Sequence, residues 1–177
     1  MNFIRDHTMY AAIFGFFAFV WFGWAQENPR PEWRWWLAIL SIVALGIAIW
    51  GGILSVYHWH DASALSEGKN FVWYLIFFYA ELLFAVIGVI LLVYLKQMSW
   101  TVVWVSAVVA IHFIALAFVF QDSGLFILTA AMLLVTLLAH PIATYFQVAN
   151  SAITGIGNGI LLVIFAVRGL ILFFQAG

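Results

Sequence analysis

Apolar residues run along this chain in six stretches, each long enough to cross a bilayer as a helix. A spanning helix needs about 20 mostly apolar residues. The stretches cover residues 8–25, 33–57, 70–95, 99–120, 125–145 and 149–174. They do not alternate polar and apolar residues with a period of two, as the strands of a membrane barrel do. Only helices and closed barrels satisfy their backbone groups in lipid, so the pattern predicts six transmembrane helices.

The connections between the stretches are short. Residues 26–32 include Asn28-Pro29-Arg30-Pro31, a rigid turn, and residues 58–69 form the longest connection. Short connections favour antiparallel packing of successive helices. We therefore predict an all-α, compact up-down bundle that forms a single domain over residues 1–177. The first stretch is predicted to be a retained helix, because bulky Trp21, Phe22 and Trp24 stand where a cleaved signal peptide has small residues.

Composition supports a membrane protein. Hydrophobic residues make up 67% of the chain and charged residues 7%, against about 25% charged in soluble domains. Such a chain is not a soluble enzyme, a disordered protein or a nucleic-acid binder, which needs a basic face. The absence of cysteine excludes disulfides and thiolate metal sites. The predicted partner is the lipid bilayer, and no phosphate loop, zinc-protease or hydrolase motif indicates an enzyme.

Aromatic and charged residues bear on where the spans end and which way they cross the membrane. Most tryptophans near these ends are predicted to anchor the protein at the interfaces; they are Trp21, Trp24, Trp33, Trp35, Trp36, Trp59 and Trp100. Six spans bring both termini to one side of the membrane. That side has three cationic residues if Arg168 reaches the interface, and the other side also has three. This balance leaves the orientation open. It is also compatible with a homo-oligomer in which two copies insert antiparallel.

Two ionisable residues lie near the middle of neighbouring spans. Glu81 is central in the third span, with Tyr74 and Gly88 seven residues away on the same helix face. His112 is central in the fourth span, at a similar depth. Ionisable groups at bilayer depth are costly, so each is a candidate functional residue. We predict a pair that holds or passes a proton or binds a cation; the alternative is two neutral, hydrogen-bonded packing residues.

Further polar residues follow one face of the fifth and sixth spans. Thr136 and His140 are four residues apart in the fifth span, and Asn150 and Asn158 are eight apart in the sixth. They are predicted to line a polar path, or else to join helices by ordinary hydrogen bonds. The sixth span also carries Ser151, Gly155 and Gly159 at intervals of four, a pattern typical of close helix packing.

Metal and cofactor sites have weaker sequence support. His58, His60 and Asp61 could ligate a metal only in an extended loop, because residues two apart point in different directions on a helix. Haem could use two histidines from different helices, for which His112 and His140 are the candidates. Their unequal depths count against this pairing. His7 and Asp122 are predicted to lie at the interface, and Arg168 either reaches the interface or needs a buried carboxylate such as Glu81.

The segment Phe16-Phe17-Ala18-Phe19-Val20-Trp21-Phe22-Gly23-Trp24-Ala25-Gln26-Glu27-Asn28-Pro29 resembles the first span of small, uncharacterised bacterial six-span membrane proteins. The resemblance extends more loosely to the six-span plan and to His112-Phe113. It implies a multi-pass protein of the bacterial inner (plasma) membrane and no particular activity.

The leading functional prediction is a bundle that binds or transports a small solute or ion through an intramembrane polar site. Its central residues would be Glu81 and His112, and Tyr74, Thr136, His140, Asn150 and Asn158 would extend the site. The alternatives are a haem-binding or redox membrane protein and a non-catalytic assembly or sensor module.

Overall fold

Six long helices make up the part of the chain that the structure describes. The structure is a computed structural model that describes residues 3–176. The helices are α1 (Ile4–Ala25), α2 (Trp33–Tyr57), α3 (Asn70–Tyr94), α4 (Thr101–Val119), α5 (Gly124–Phe146) and α6 (Asn150–Ala176), with short 3-10 turns at Ala64–Ser66 and Met98–Trp100. All six are long and apolar enough to cross a membrane. The predicted all-α membrane bundle is therefore confirmed.

Left-handed backbone conformations mark three of the chain reversals. Lys96, Gln121 and Gln147 follow the ends of α3, α4 and α5, with φ of 56°, 50° and 56°. A left-handed residue after a helix lets the next amide groups bond back to the last helical carbonyls. The amide of Gln97, for example, donates to the carbonyl of Leu92. These tight reversals return the chain directly into the bundle.

The antiparallel order of the helices gives the bundle two ends. The terminal face contains the start of α1, the end of α6, and the connections 58–69 and 120–123. The opposite face contains connections 26–32, 95–100 and 147–149. Functional candidates are located below by their distance from these two faces.

Helix α1 packs between α2 and α6. Small residues permit the close approach. A Cβ at Gly15 would lie 2.7 Å from the backbone nitrogen of Ala48, and one at Gly155 would overlap the Trp21 carbonyl oxygen. The glycine spacing predicted to pack α6 closely therefore does so, against α1.

Helix α3 lies at the periphery. It packs mainly against α4, and none of its residues is fully buried. The expectation that each helix packs on the next is met everywhere except between α2 and α3, which pack against different partners, α1 and α4. The twelve-residue connection between them is long enough to separate the two helices.

Tryptophan burial corrects one interfacial assignment. Trp35 and Trp36 are 71% and 65% exposed, as expected for a membrane-interface belt. Trp21, in contrast, is 3% exposed and belongs to the hydrophobic core. Its backbone carbonyl faces Gly155, where the absence of a side chain lets α1 approach α6 closely.

Candidate functional site

Glu81 and His112 face each other across the α3–α4 contact. Glu81 Oε2 lies 3.5 Å from His112 Nε2, and the two side chains are 21% and 9% exposed. Glu81 is eleven residues from the start of α3, about 17 Å along the helix axis. Both groups are therefore near mid-depth of the spans. Charge-assisted hydrogen bonds are typically about 2.7–2.9 Å long, so this pair is in ion-pair range without a tight bond.

The contact between α3 and α4 forms a continuous seam. On the terminal side of the pair, the Tyr74 ring packs edge-on against Phe120, with centroids 6.3 Å apart. On the other side, the Trp104 indole N–H donates to the Phe84 carbonyl over 3.0 Å. A Cβ at Gly88 would overlap this indole nitrogen. Tyr74, Glu81 and Gly88 thus share one face as predicted, but the space beside Gly88 is filled by Trp104.

A shallow cleft opens beyond Trp104, toward the opposite face. Its volume is about 260 Å³. The lining side chains come from α3, α4, α5 and the 3-10 turn before α4: Leu92, Trp100, Val103, Trp104, Ala107 and Thr136. Trp104 therefore contributes both to the cleft wall and to the seam that holds Glu81 and His112.

A second polar cluster joins α4, α5 and α6. Asn158 Nδ2 donates to Ser106 Oγ over 2.8 Å, and Ser106 Oγ lies 2.6 Å from Thr136 Oγ1. Thr136 Oγ1 itself donates to the Met132 carbonyl, so Ser106 is the donor in the middle bond. We call these three residues the polar chain. Ser106 and Asn158 are fully buried, and Asn158 Oδ1 has no hydrogen-bond partner.

Replacing Ser106 with alanine should lower the free energy of unfolding by about 1–2 kcal/mol. The change leaves a buried Asn158 donor unsatisfied, which costs about 1–3 kcal/mol in proteins, and interhelical hydrogen bonds in membranes contribute up to about 1.7 kcal/mol. Denaturation in mixed detergent micelles measures the effect. Ser41→Ala is the matched control, since Ser41 bonds only the Leu37 carbonyl of its own helix. Equal stability losses in the two variants would contradict a role for Ser106 in joining helices.

A third cluster lies near the opposite face. His140 Nδ1 donates to Asn150 Oδ1 over 3.2 Å, and Asn150 Nδ2 donates to the Ser99 carbonyl. The His140 ring lies 4.8 Å from the Trp100 ring. His140 is six residues, about 9 Å, from the end of α5. His140 and His112 therefore belong to different clusters at different depths, and the structure does not bring them together as a haem pair.

The three candidate metal ligands, which had weak sequence support, lie on the terminal face. His58 Nδ1 bonds Asp61 Oδ2 over 2.7 Å, and His60 is exposed. Within residues 3–176, no group of three or more histidine or carboxylate side chains is arranged to hold a metal ion. The His58–Asp61 contact is thus a local hydrogen bond in the connection.

An ion pair that the sequence did not predict joins the α4–α5 turn to α6. Arg168 donates to both carboxylate oxygens of Asp122, at 2.7 and 2.8 Å, and Gly124 N–H donates to the same carboxylate. Burial alone would raise the pKa of Asp122, but these donors hold the pKa below its usual value. Asp122 is 3% exposed. It is therefore buried within the protein at the terminal face, and it, not Glu81, is the carboxylate that pairs with Arg168.

Polar residues of α1 near the terminal face are also buried. Asp6 accepts hydrogen bonds from Ser63 Oγ and the Ala64 amide, at 2.6 and 2.8 Å. His7, predicted to be interfacial, is 4% exposed. The Asp6 bonds fix the connection 58–69 onto α1. A lone carboxylate before the first span was the only sequence signal for this contact.

The predicted polar residues therefore form three groups, not one site. Glu81, His112 and Tyr74 lie along the seam, Thr136 and Asn158 belong to the polar chain, and His140 and Asn150 form the cluster near the opposite face. Helix α4 contributes to the first two groups through different sides. Comparison with protein-family models, curated proteins and solved structures gives no match for this chain.

Proposed function

We propose that this multi-pass membrane protein binds and exchanges a proton or a small cation at the Glu81–His112 pair. The observation that carries the proposal is the 3.5 Å approach of a carboxylate and an imidazole from two helices at mid-depth. A buried acid beside a base can hold one proton between them or present a carboxylate to a cation. The proposed location is the bacterial plasma membrane.

The packing of α3 is compatible with such exchange. A bound ion must reach the pair and leave it, which requires some movement of the surrounding helices. Because α3 packs mainly on α4 and buries none of its residues fully, its displacement disturbs few other contacts. The polar chain lies on the α5–α6 side of α4 and serves in this proposal to keep α4 fixed while α3 moves.

The test is proton movement in proteoliposomes. A potassium diffusion potential drives uptake, and an internal pH-sensitive dye reports it. We expect Glu81→Gln to lower the initial rate at least tenfold, because the amide has nearly the same shape but cannot ionise. Glu67→Gln is the matched control, since Glu67 is exposed in the connection 58–69. Unchanged uptake in Glu81→Gln, or equal loss in Glu67→Gln, would contradict the proposal.

Binding can be separated from transport in the same preparation. Infrared difference spectra between acidic and alkaline buffer should contain a carboxylic-acid band that disappears in Glu81→Gln. His112→Asn should shift the titration of this band, whereas His60→Asn, at an exposed position, should not. Replacing sodium with a large organic cation distinguishes cation exchange from proton exchange.

A further inference from the structure

The position of Trp104 between the cleft and the Glu81–His112 pair suggests how that pair is closed off from water. Along α3, Leu92 lines the cleft, Gly88 contacts the Trp104 indole, and Glu81 lies seven residues further. Seven residues correspond to about 10 Å of helix. A hydrated ion moving along the seam from the opposite face meets the indole before it reaches Glu81.

The indole is held in place by two specific features of α3. Its N–H donates to the Phe84 carbonyl, and the missing side chain of Gly88 leaves room for the ring. A peptide carbonyl inside a helix already accepts a bond from the amide four residues later, so its bond to Trp104 is an additional one. Breaking it leaves the helical bond of α3 intact, and the indole N–H is the only group that loses a partner.

We propose that Trp104 is a gate that separates the Glu81–His112 pair from water at the opposite face. When the indole leaves Gly88, a path opens from the cleft along the α3–α4 seam, and a small cation or proton-carrying water reaches Glu81. The inference rests on the proposed function for the identity of the ion. The barrier itself is a physical property that can be measured without any assay of transport.

Cysteine accessibility measures the barrier directly, because the chain contains no cysteine of its own. Ala85 lies one turn from Glu81 on the side toward Gly88 and is half-buried. Ala85→Cys therefore places a thiol on the protected side of Trp104 and keeps the pair. The probe is a small, membrane-impermeant, cationic methanethiosulfonate, which reacts with hydrated thiolates. Leu83→Cys, 57% exposed at a similar depth, reports on the lipid-facing side.

We expect Ala85→Cys to react slowly in otherwise unchanged protein and at least tenfold faster when Trp104→Ala is added. Gly88→Ala should give the same increase with Trp104 present, because the new methyl group displaces the indole. Trp100→Ala changes the cleft wall and the contact with His140 but leaves the Trp104 indole against Gly88, so it should leave the rate unchanged. Equal rates with and without the Trp104 and Gly88 changes would overturn the gate, and so would a parallel increase at Leu83→Cys.

The two proposals fail separately. A gated thiol at position 85 together with uptake that is insensitive to Glu81→Gln refutes the proposed function and leaves the barrier established. Glu81-dependent uptake together with ungated labelling refutes the gate alone. If Trp104→Ala does not give a monodisperse protein, Gly88→Ala carries the same test with the indole retained.

Discussion

Arg168→Met is expected to lower the free energy of unfolding by about 3 kcal/mol, among the largest effects of any single substitution in this protein. Breaking a buried ion pair by removing one partner costs about 3–5 kcal/mol, because the other charge remains buried. The lower end applies because the Arg168 side chain is 35% exposed whereas Asp122 is 3% exposed. Denaturation in mixed micelles measures the loss, with exposed Arg34→Met as the matched control.

Two further measurements identify charge as the cause of this loss. Adding Asp122→Leu to Arg168→Met should recover much of the stability, since a buried ion pair is often replaceable by apolar residues. The direction in which stability changes with pH also follows from the ion pair. The pKa of Asp122 is lower in the folded protein than in the unfolded chain. The contribution of the ionised Asp122 to the free energy of unfolding is therefore complete above the pKa of the unfolded chain, near 4. This contribution is lost as the pH falls through the pKa of the folded protein. A double variant no more stable than Arg168→Met would contradict this account.

Gly155→Ala should lower the free energy of unfolding by a similar amount, about 3 kcal/mol, because the added methyl group collides with α1. The added Cβ overlaps the Trp21 carbonyl oxygen and lies 2.8 Å from the Ala25 nitrogen. Backbone atoms of α1 cannot turn aside as a flexible side chain can, so α1 and α6 must separate. Overpacking a well-packed core costs about 1–3 kcal/mol, and the upper end applies where the obstacle is backbone.

The matched control for this substitution is Gly46→Ala on α2. A Cβ at Gly46 meets nothing within 4 Å, and alanine is favoured over glycine in a helix by up to about 1 kcal/mol. Gly46→Ala should therefore leave the unfolding midpoint unchanged or raise it slightly. If the two variants are equally stable in micelles, the close α1–α6 contact does not contribute as described.

Hydrophobic patterning was sufficient to predict the helices of this protein because each span requires many apolar residues in a row. The predicted helix ends differ from those in the structure by four residues at most, as at the start of α1. The glycine intervals in α6 also predicted a packing face correctly. They could not identify its partner, because the same interval fits any helix that approaches closely.

The candidate site was only partly predictable, because spacing within one helix does not encode the order of helices around the bundle. Similar depth on successive spans correctly paired Glu81 with His112. The same reasoning could not show that Thr136 and Asn158 lie on another side of α4, or that His140 bonds Asn150. The pairing of Arg168 with Asp122 was not predictable from spacing either, because only the fold brings these two residues together.

The packing of α1 against α6 has a consequence for how the protein is made. Helix α1 leaves the ribosome before α6, its principal neighbour, which begins about 125 residues after α1 ends. At about 5–20 residues per second, synthesis leaves α1 without that neighbour for roughly 6–25 s. During this interval its glycine-accommodating surface faces lipid or the insertion machinery. Packing of α1 against α6 is therefore a late step, and a ribosome stalled before residue 150 would carry a chain in which α1 still lacks this neighbour.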